Sequence, residues 1–209
     1  MGAAVSAITS RITIPSFLTG QKICQGWTWD SIAVLSAFVV LFIVSFIVGF
    51  SATPALSIIP IIGFLAYSQI MAHPEESDRW HHSDWLLTTP IMLAALLYSN
   101  GVPLEVILPM VACDILMIMA GYLGTKTKNS LESKGYFALL ILAFLPIATI
   151  LLQQTKNKLA VYLLLAVWSL YPAVYWAQQN ALVEKKYTTI AYAFMDVLSK
   201  TGLVYLIHI

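Results

Sequence analysis

The sequence predicts an all-α membrane protein that folds as a single seven-helix bundle. Of its 209 residues, 59% are hydrophobic and only 10% are charged, and the mean hydropathy is +0.82. Because soluble domains carry about 25% charged residues, most of this chain is expected to lie in lipid. Seven apolar stretches approach the length of about 20 residues that a helix needs to cross the hydrocarbon core.

The predicted spans follow one another through short separators. In chain order they cover residues 29–50, 53–72, 80–98, 103–123, 132–153, 158–178 and 188–208. The separators are rich in turn residues or charges and read SATP, HPEESDR, SNGVP, GTKTKN, QQTKNK and QQNALVEKKY. Connections this short require neighbouring helices to run antiparallel. We therefore expect one transmembrane domain over residues 28–209 and no appended domain.

Residues 1–27 precede the first span and are mildly amphipathic. They form either an interfacial segment at the outer surface or a flexible tail. The formal net charge of +1 gives no indication of nucleic-acid binding, and two cysteines are too few for a disulfide framework. If the N-terminus is outside, the outer segments hold eight lysines and arginines and the inner loops hold two. This distribution runs against the positive-inside tendency.

The seventh span contains two ionisable residues in an apolar setting. Asp196 and Lys200 are four residues apart and therefore share one face of the helix. Charged groups at membrane depth are costly and usually functional. They form either a salt bridge that fixes helix packing, or a lysine that holds an aldehyde cofactor as a Schiff base with Asp196 as counter-charge. The second interpretation requires another carboxylate from a different helix.

The third span supplies such a carboxylate in the segment WHHSDWLLTTPIM. Asp84 is followed one turn later by Thr88, whose hydroxyl can hydrogen-bond to it. Pro90 frees a backbone carbonyl and kinks the helix, which helix bundles tolerate near functional sites. Alone, Asp84 would be interpreted as a packing charge. Together with the seventh span it completes a compact group of two carboxylates and one amine.

Aromatic residues of the sixth span form a stripe that is expected to face the same interior. The segment WSLYPAVY places Trp168, Tyr171 and Tyr175 at positions i, i+3 and i+7, beside Pro172. Such a stripe is most often core packing. Next to a lysine and two carboxylates, it would also form a slot for a flat, conjugated ligand.

With these motifs the chain resembles the microbial (type 1) rhodopsins over all seven spans. The segment DVLSK, with Gly202 two residues after its lysine, resembles the retinal-lysine signature of that family. The resemblance implies that Lys200 carries all-trans retinal as a protonated Schiff base. The segment DWLLTTP resembles the family's third-helix signature, which makes Asp84 the primary counterion and proton acceptor, with Asp196 as the second carboxylate.

The resemblance also implies a set of side chains around the retinal polyene and ring. Tyr67 would reach the Asp196 side from the second span, and Asp114 would hydrogen-bond to Thr89. Tyr175 stands where the family usually has a second tryptophan. The implied cofactor-binding residues are Lys200, Trp85, Thr89, Met92, Asp114, Met117, Gly121, Phe137, Phe144, Trp168, Tyr171, Pro172, Tyr175, Tyr67 and Ser199.

Two departures from the family pattern bear on function. Proton-pumping relatives have a carboxylic acid eleven positions after the counterion as proton donor, and this position is Ala95. The family's arginine three residues before the counterion is His81, which can face Asp84 and relay a proton because histidine titrates near neutral pH. The alternative is that His81 faces water, as we expect of His82. The short hairpin between the second and third spans is similar to that of giant-virus rhodopsins.

The resemblance implies a light-driven proton pump in the cell membrane, with Asp84, Asp196, Thr88 and His81 as its functional residues. Without an acid at Ala95, the return of the proton would be slow. A light-gated channel and a photosensor without transport are the alternatives, although the apolar first and second spans offer no polar lane for a channel. The family implies an extracellular N-terminus and assembly as trimers or pentamers. We expect no metal site and no enzymatic activity.

Overall fold

The structure of the protein is a computed structural model that describes residues 28–50 and 54–207. The predicted N-terminal segment, residues 1–27, lies outside the described residues. Seven long α-helices fill almost all of the described part, which contains no β-strand. They are α1 (Trp29–Gly49), α2 (Ile58–Ala72), α3 (Ser77–Ser99), α4 (Leu104–Lys126), α5 (Ser130–Gln154), α6 (Lys158–Gln179) and α7 (Lys185–Ile207). The predicted all-α, seven-helix fold is confirmed.

Several helices are longer than the apolar stretches that predicted them. α3 begins at Ser77 and α7 at Lys185, three residues before the predicted spans in each case. Hydropathy marks only the part of a helix that lies in lipid, whereas the backbone hydrogen bonds continue into its polar ends. α5 begins where Asn129 Oδ1 accepts hydrogen bonds from the backbone N–H groups of Leu131 and Glu132 at 2.9 and 3.5 Å, which caps the first turn.

The helices close into a ring. Each helix packs against the next one along the chain, and α1 packs against α7 to complete the circle. α7 also contacts α2 and α3, so these helices meet across the interior. Residues 73–76 lie at one end of the bundle, called the α2–α3 end, and residues 100–103 lie at the opposite α3–α4 end. Side chains of α3 and α7 can therefore meet inside the ring.

Five helices are long and apolar enough to cross a membrane on length and composition alone. They are α1, α2 with the 3₁₀ turn before it, α4, α5 and α6. In the described part of the chain, α3 and α7 are the long helices that do not qualify, and they carry Asp84, Asp196 and Lys200. These three charges are buried, whereas large apolar side chains such as Phe46 and Leu108 are exposed. Buried charges together with exposed apolar side chains are the distribution found in an integral membrane protein.

The interior at the α3–α4 end is filled by aliphatic side chains of α2, α3, α5 and α6. We call eight of them the apolar layer: Ile59, Leu93, Leu96, Leu97, Ile147, Leu151, Val161 and Leu164. All eight are almost fully buried. Every buried aspartate, histidine and lysine of the described residues lies at the depth of Lys200 or nearer the α2–α3 end. The bundle thus has one polar half and one apolar half.

Candidate cofactor site

An amine and two carboxylates meet at the centre of the ring. Lys200 Nζ lies 2.8 Å from Asp84 Oδ2 and 3.3 Å from Asp196 Oδ1, and all three side chains are at most 1% exposed. The four-residue spacing within α7 and the packing of α7 on α3 bring these groups together. A buried cation is stable only when opposite charges and hydrogen bonds compensate it. Two carboxylates provide that compensation here.

Asp196 is held on both oxygens by hydrogen-bond donors from three other helices. The Tyr67 hydroxyl donates to Oδ2 at 2.8 Å. The Trp85 indole N–H and the Tyr171 hydroxyl donate to Oδ1 at 2.8 and 2.7 Å. Tyr67 was placed on this side by the family resemblance, whereas the contacts of Trp85 and Tyr171 with Asp196 were not predicted. Asp196 is therefore a carboxylate fixed in position.

His81 lies beside Asp196 on the side of the α2–α3 end. Its Nδ1 is 3.7 Å from Asp196 Oδ2, and its side chain is 2% exposed. The imidazole stacks on Trp85 with ring centroids 5.5 Å apart, and neither ring nitrogen has a hydrogen-bond partner within the described residues. The sequence left two placements of His81 open, facing Asp84 or facing water. The side chain is buried and lies next to Asp196, so the placement in water is wrong.

Two threonines of α3 contact neighbouring carboxyl groups. Thr88 Oγ1 donates to the backbone carbonyl oxygen of Asp84 at 2.9 Å and lies 3.3 Å from Asp84 Oδ1. Thr89 Oγ1 donates to Asp114 Oδ2 at 2.7 Å and so joins α3 to α4. This is the contact that the resemblance implied. The other oxygen of Asp114 has no hydrogen-bond partner among the described residues.

A cavity runs from Lys200 across the interior of the bundle. The empty space within it, open solvent included, is about 720 Å³. Trp85 and Tyr171 meet edge to face in its wall, with ring centroids 5.1 Å apart. The lining residues that the sequence predicted are Lys200, Trp85, Thr89, Met92, Asp114, Met117, Gly121, Phe144, Trp168, Tyr171, Pro172, Tyr175, Ser199 and Asp196.

Four further lining residues were not predicted, namely His82, Ile118, Leu140 and Tyr192. Helical spacing carried a signal for two of them. Leu140 lies one turn before Phe144 on α5, and Tyr192 lies one turn before Asp196 on α7. Residues one turn apart share a helix face, so a complete reading of each interior face would have included both.

The prediction that His82 faces water is wrong. Its side chain is 7% exposed and lines the cavity. His82 lies three residues before Trp85 and so shares its helix face. Because α3 begins at Ser77, this turn lies inside the bundle and not at its rim.

Two predicted cofactor-binding residues lie behind the cavity wall. Phe137 does not line the cavity but stacks on Tyr175, with ring centroids 6.0 Å apart and an angle of 3° between the planes. Tyr67 does not line the cavity and reaches the site through its hydrogen bond to Asp196 and its edge-to-face contact with His81. Both residues can position groups that line the cavity without touching its contents.

Comparison with known proteins places this arrangement in a family. A family model described as bacteriorhodopsin-like protein matches residues 22–209. The chain belongs to the bacteriorhodopsin-like family. It is 26% identical to sensory rhodopsin-1 of Halobacterium salinarum over 178 residues, which cover 76% of this chain and 74% of that protein. It is 28% identical to opsin-like protein carO of Fusarium fujikuroi over 131 residues, which cover 56% of this chain and only 42% of the length of carO.

Solved rhodopsin structures share the fold. A cyanorhodopsin from Calothrix sp. NIES-2098 superposes with a TM-score of 0.77 at 18% identity, covering 88% of this chain and 95% of that chain. A light-driven proton pump from Leptosphaeria maculans gives a TM-score of 0.76 at 17% identity, covering 88% and 94% of the two chains. The predicted resemblance to microbial rhodopsins is confirmed, and these structures support the seven-helix fold.

The residues of this rhodopsin fit the family's retinal cofactor. The family binds retinal as a Schiff base on a lysine, and Lys200 is a buried lysine with carboxylates at 2.8 and 3.3 Å. The cavity begins at this lysine and is walled by Trp85, Trp168 and Tyr171, which suits a flat polyene. All-trans retinal bound covalently to Lys200 is therefore the cofactor.

Gly63 of α2 packs directly against the aliphatic chain of Lys200. A Cβ at this position would lie 3.0 Å from Leu41 Cδ1 and 3.2 and 3.3 Å from Lys200 Cδ and Cε. We predict that Gly63→Ala displaces the lysine nitrogen, shifts the visible absorption band and lowers stability by about 1–3 kcal/mol, the usual cost of overpacking. The measurements are the absorption spectrum and the temperature at which the band is lost.

Gly135→Ala in α5 is the matched control, because a Cβ there meets nothing within 4 Å. The same substitution in an open helical position is expected to leave the band in place and to raise stability slightly through helix propensity. If Gly63→Ala behaved like Gly135→Ala, the proposed close packing of Gly63 on Lys200 would be wrong.

Proposed function

We propose that this rhodopsin is a light-driven proton pump in which Asp84 accepts the proton from the Lys200 nitrogen. The observation that carries the proposal is the 2.8 Å contact between Lys200 Nζ and Asp84 Oδ2. Retinal, when bound, supplies light absorption and an all-trans to 13-cis isomerisation. The protein supplies the proton acceptor, a fixed counter-charge and the routes on either side.

Asp84 and Asp196 differ in how readily they can accommodate a proton. Both oxygens of Asp196 already accept hydrogen bonds from two phenol hydroxyls and one indole N–H, so an arriving proton would displace a donor. Within the described residues, the carboxylate of Asp84 accepts only from Thr88 and Lys200. A proton that moves from Lys200 to Asp84 travels along the hydrogen bond that already joins them, so no other donor has to leave the carboxylate. This asymmetry supports Asp84 as acceptor and Asp196 as the lasting counter-charge.

His81 is placed to pass the proton toward the α2–α3 end. Its nitrogens have no hydrogen-bond partner within the described residues, and Nδ1 lies 3.7 Å from Asp196 Oδ2. An imidazole in this position can take up a proton on one ring nitrogen and release a proton from the other. α1 begins at the α2–α3 end, so with the N-terminus outside, as the resemblance implies, transport through His81 is outward.

The apolar layer and Ala95 affect the return of the proton. Ala95 stands where proton-pumping relatives carry an acid, and the apolar layer lies between Lys200 and the α3–α4 end. Among the described residues, no buried acid lies within the apolar layer to donate a proton to Lys200 from that end. We predict that the rate of recovery after a light flash is proportional to the proton concentration on that side. Recovery therefore slows as the pH there is raised. Flash photolysis over a pH series measures this rate.

An acid at Ala95 tests the same step by gain of function. Ala95→Glu is expected to speed recovery and to weaken its dependence on pH, because the carboxyl group can hold a proton for the Lys200 nitrogen. Ala95→Gln is the matched control, since it has nearly the same size and no acid. Equal recovery rates in the two variants would contradict this account of the return step.

A photosensor without transport is the second candidate. Sensory rhodopsin-1 is a relative over 74% of its length, and slow recovery would prolong a signalling state. A light-gated channel has less support, because ions need a polar path and the apolar layer consists of eight aliphatic side chains.

Light-induced currents separate these functions. A pump is expected to give a stationary current of one sign at membrane voltages on both sides of zero, whereas a channel current reverses and a sensor gives none. Cells that express the protein should acidify their medium in the light, and a protonophore should abolish this change. Illumination without any current or pH change would contradict the pump proposal.

A further inference from the structure

Three titratable side chains form a series along α3, from the centre of the bundle toward its α2–α3 end. Asp84, His81 and Asp78 are spaced by three residues, and residues three apart on a helix are neighbours, with about 5–6 Å between their Cβ atoms. Their exposure rises in the same order. The side chains of Asp84 and His81 are at most 2% exposed, whereas that of Asp78 is 28% exposed. In this series, Asp78 lies between His81 and water.

The carboxylate of Asp78 joins α3 to α6 and α7 at the α2–α3 end. Lys185 Nζ of α7 lies 3.3 Å from its Oδ2, and the side-chain amide of Gln178 of α6 donates to its Oδ1 at 3.3 Å. The ring of Tyr192 on α7 lies 5.3 Å from the His81 ring, centroid to centroid, and the Tyr192 hydroxyl is within electrostatic range of Asp78. His81 and Asp78 therefore approach the same opening between α3, α6 and α7.

The glutamates at this end of the bundle are placed differently from Asp78. Within the described residues, four exposed glutamates have ion pairs and hydrogen bonds that reach at most five positions along the chain, namely Glu75, Glu76, Glu132 and Glu184. Asp78 is half-buried and contacts two helices other than its own. Compared with these glutamates, Asp78 is the carboxylate that is placed to receive a proton from the interior.

We propose that Asp78 is the last protein group to carry the transported proton, and that it takes this proton from His81. The inference rests on the proposed function, because it requires a proton to leave Asp84 toward the α2–α3 end. In this step an N–H bond of the His81 imidazolium breaks and an O–H bond forms on the Asp78 carboxylate, so that both groups become neutral. The O–H bond then breaks, the proton passes to water, and the carboxylate pairs with Lys185 again.

Time-resolved infrared spectroscopy tests this step, because a protonated carboxyl group has a C=O stretch that a carboxylate lacks. We expect two such bands after a light flash, one from Asp84 and a later one from Asp78. Asp78→Asn should remove only the later band. It should also delay the arrival of protons at a pH-indicating dye in the medium by about 100-fold, the usual contribution of a positioned acid or base. The asparagine is nearly the same size and can still accept from Gln178 and Lys185, so the contacts between the helices are kept.

Two further variants separate a proton carrier from a residue that only fixes helix packing. Glu76→Gln is the matched control, because Glu76 lies at the same end and pairs with Arg79 three residues away. It should keep both bands and the release rate of the parent. Lys185→Met breaks the ion pair of Asp78 but keeps the carboxylate. It should therefore keep the later band and prolong it, because the cation that favours the charged carboxylate is missing.

The outcomes distinguish this inference from the proposed function. The inference alone is overturned if the later band is missing from the parent or is lost in Lys185→Met. Release from Asp78→Asn as fast as from the parent would overturn it as well. If no proton reaches the medium from the parent, the proposed pump is wrong and the inference fails with it.

Discussion

Substitution of Lys200 by alanine is expected to abolish the visible absorption band. Lys200 is the only buried lysine among the described residues, so the aldehyde has no other interior amine with which to react. The variant also leaves Asp84 and Asp196 buried without their cation, and removal of one partner from a buried ion pair costs about 3–5 kcal/mol. The measurements are the absorption spectrum after addition of excess retinal and the thermal unfolding curve.

Two controls accompany this experiment. Lys134→Ala removes an exposed lysine of α5 and should keep the band. Retinal that has first been condensed with a small alkylamine should restore a band in Lys200→Ala, because the cavity and both carboxylates are still present. A coloured Lys200→Ala protein without added amine would contradict the assignment of the cofactor site.

Asp84→Asn is expected to reduce light-driven transport by about 100-fold or more, the usual contribution of a positioned acid or base. The asparagine amide cannot accept the proton that Lys200 donates to Asp84 across 2.8 Å. The visible band should also move to longer wavelength. Excitation shifts positive charge from the nitrogen toward the ring, so the loss of a negative charge beside the nitrogen destabilises the ground state more than the excited state.

Transport and absorption spectra of purified protein in vesicles measure both effects. Asp30→Asn is the matched control, because Asp30 lies in the first turn of α1 and outside the cavity wall. It should pump and absorb as the parent does. Undiminished transport in Asp84→Asn would show that another group accepts the proton, and a shift to shorter wavelength would contradict the close contact with Lys200.

The fold was predictable because lipid imposes a strong and simple rule on sequence. A crossing helix must be apolar over about 20 residues, and the short connections left only antiparallel neighbours. The helix ends were less predictable, since α3 begins at Ser77 and α7 at Lys185. Polar residues there continue the backbone hydrogen bonding beyond the lipid, and a hydropathy pattern does not mark where such a helix begins.

The site was predictable where chemistry in the membrane is costly, and less so elsewhere. Ionisable residues in an apolar span are costly and usually functional, which made three residues conspicuous: Lys200, Asp84 and Asp196. His81 and His82 are neighbours and point about 100° apart on the helix, so the sequence suggested that one faces inward and the other outward. In the structure both are buried, because α3 contacts α2, α4 and α7. The number of neighbours of a helix is a property of the assembled bundle.

The apolar layer has an electrical consequence. A transmembrane voltage falls mainly across the least polarisable material in its path, and here that is the stack of eight aliphatic side chains at the α3–α4 end. Moving one elementary charge through the full potential takes about 2.3 kcal/mol per 100 mV, so most of this work is done while a proton crosses the layer. In the proposed pump, the resting potential of the cell would therefore slow the return of the proton to the Lys200 nitrogen and have little effect on its release at the α2–α3 end.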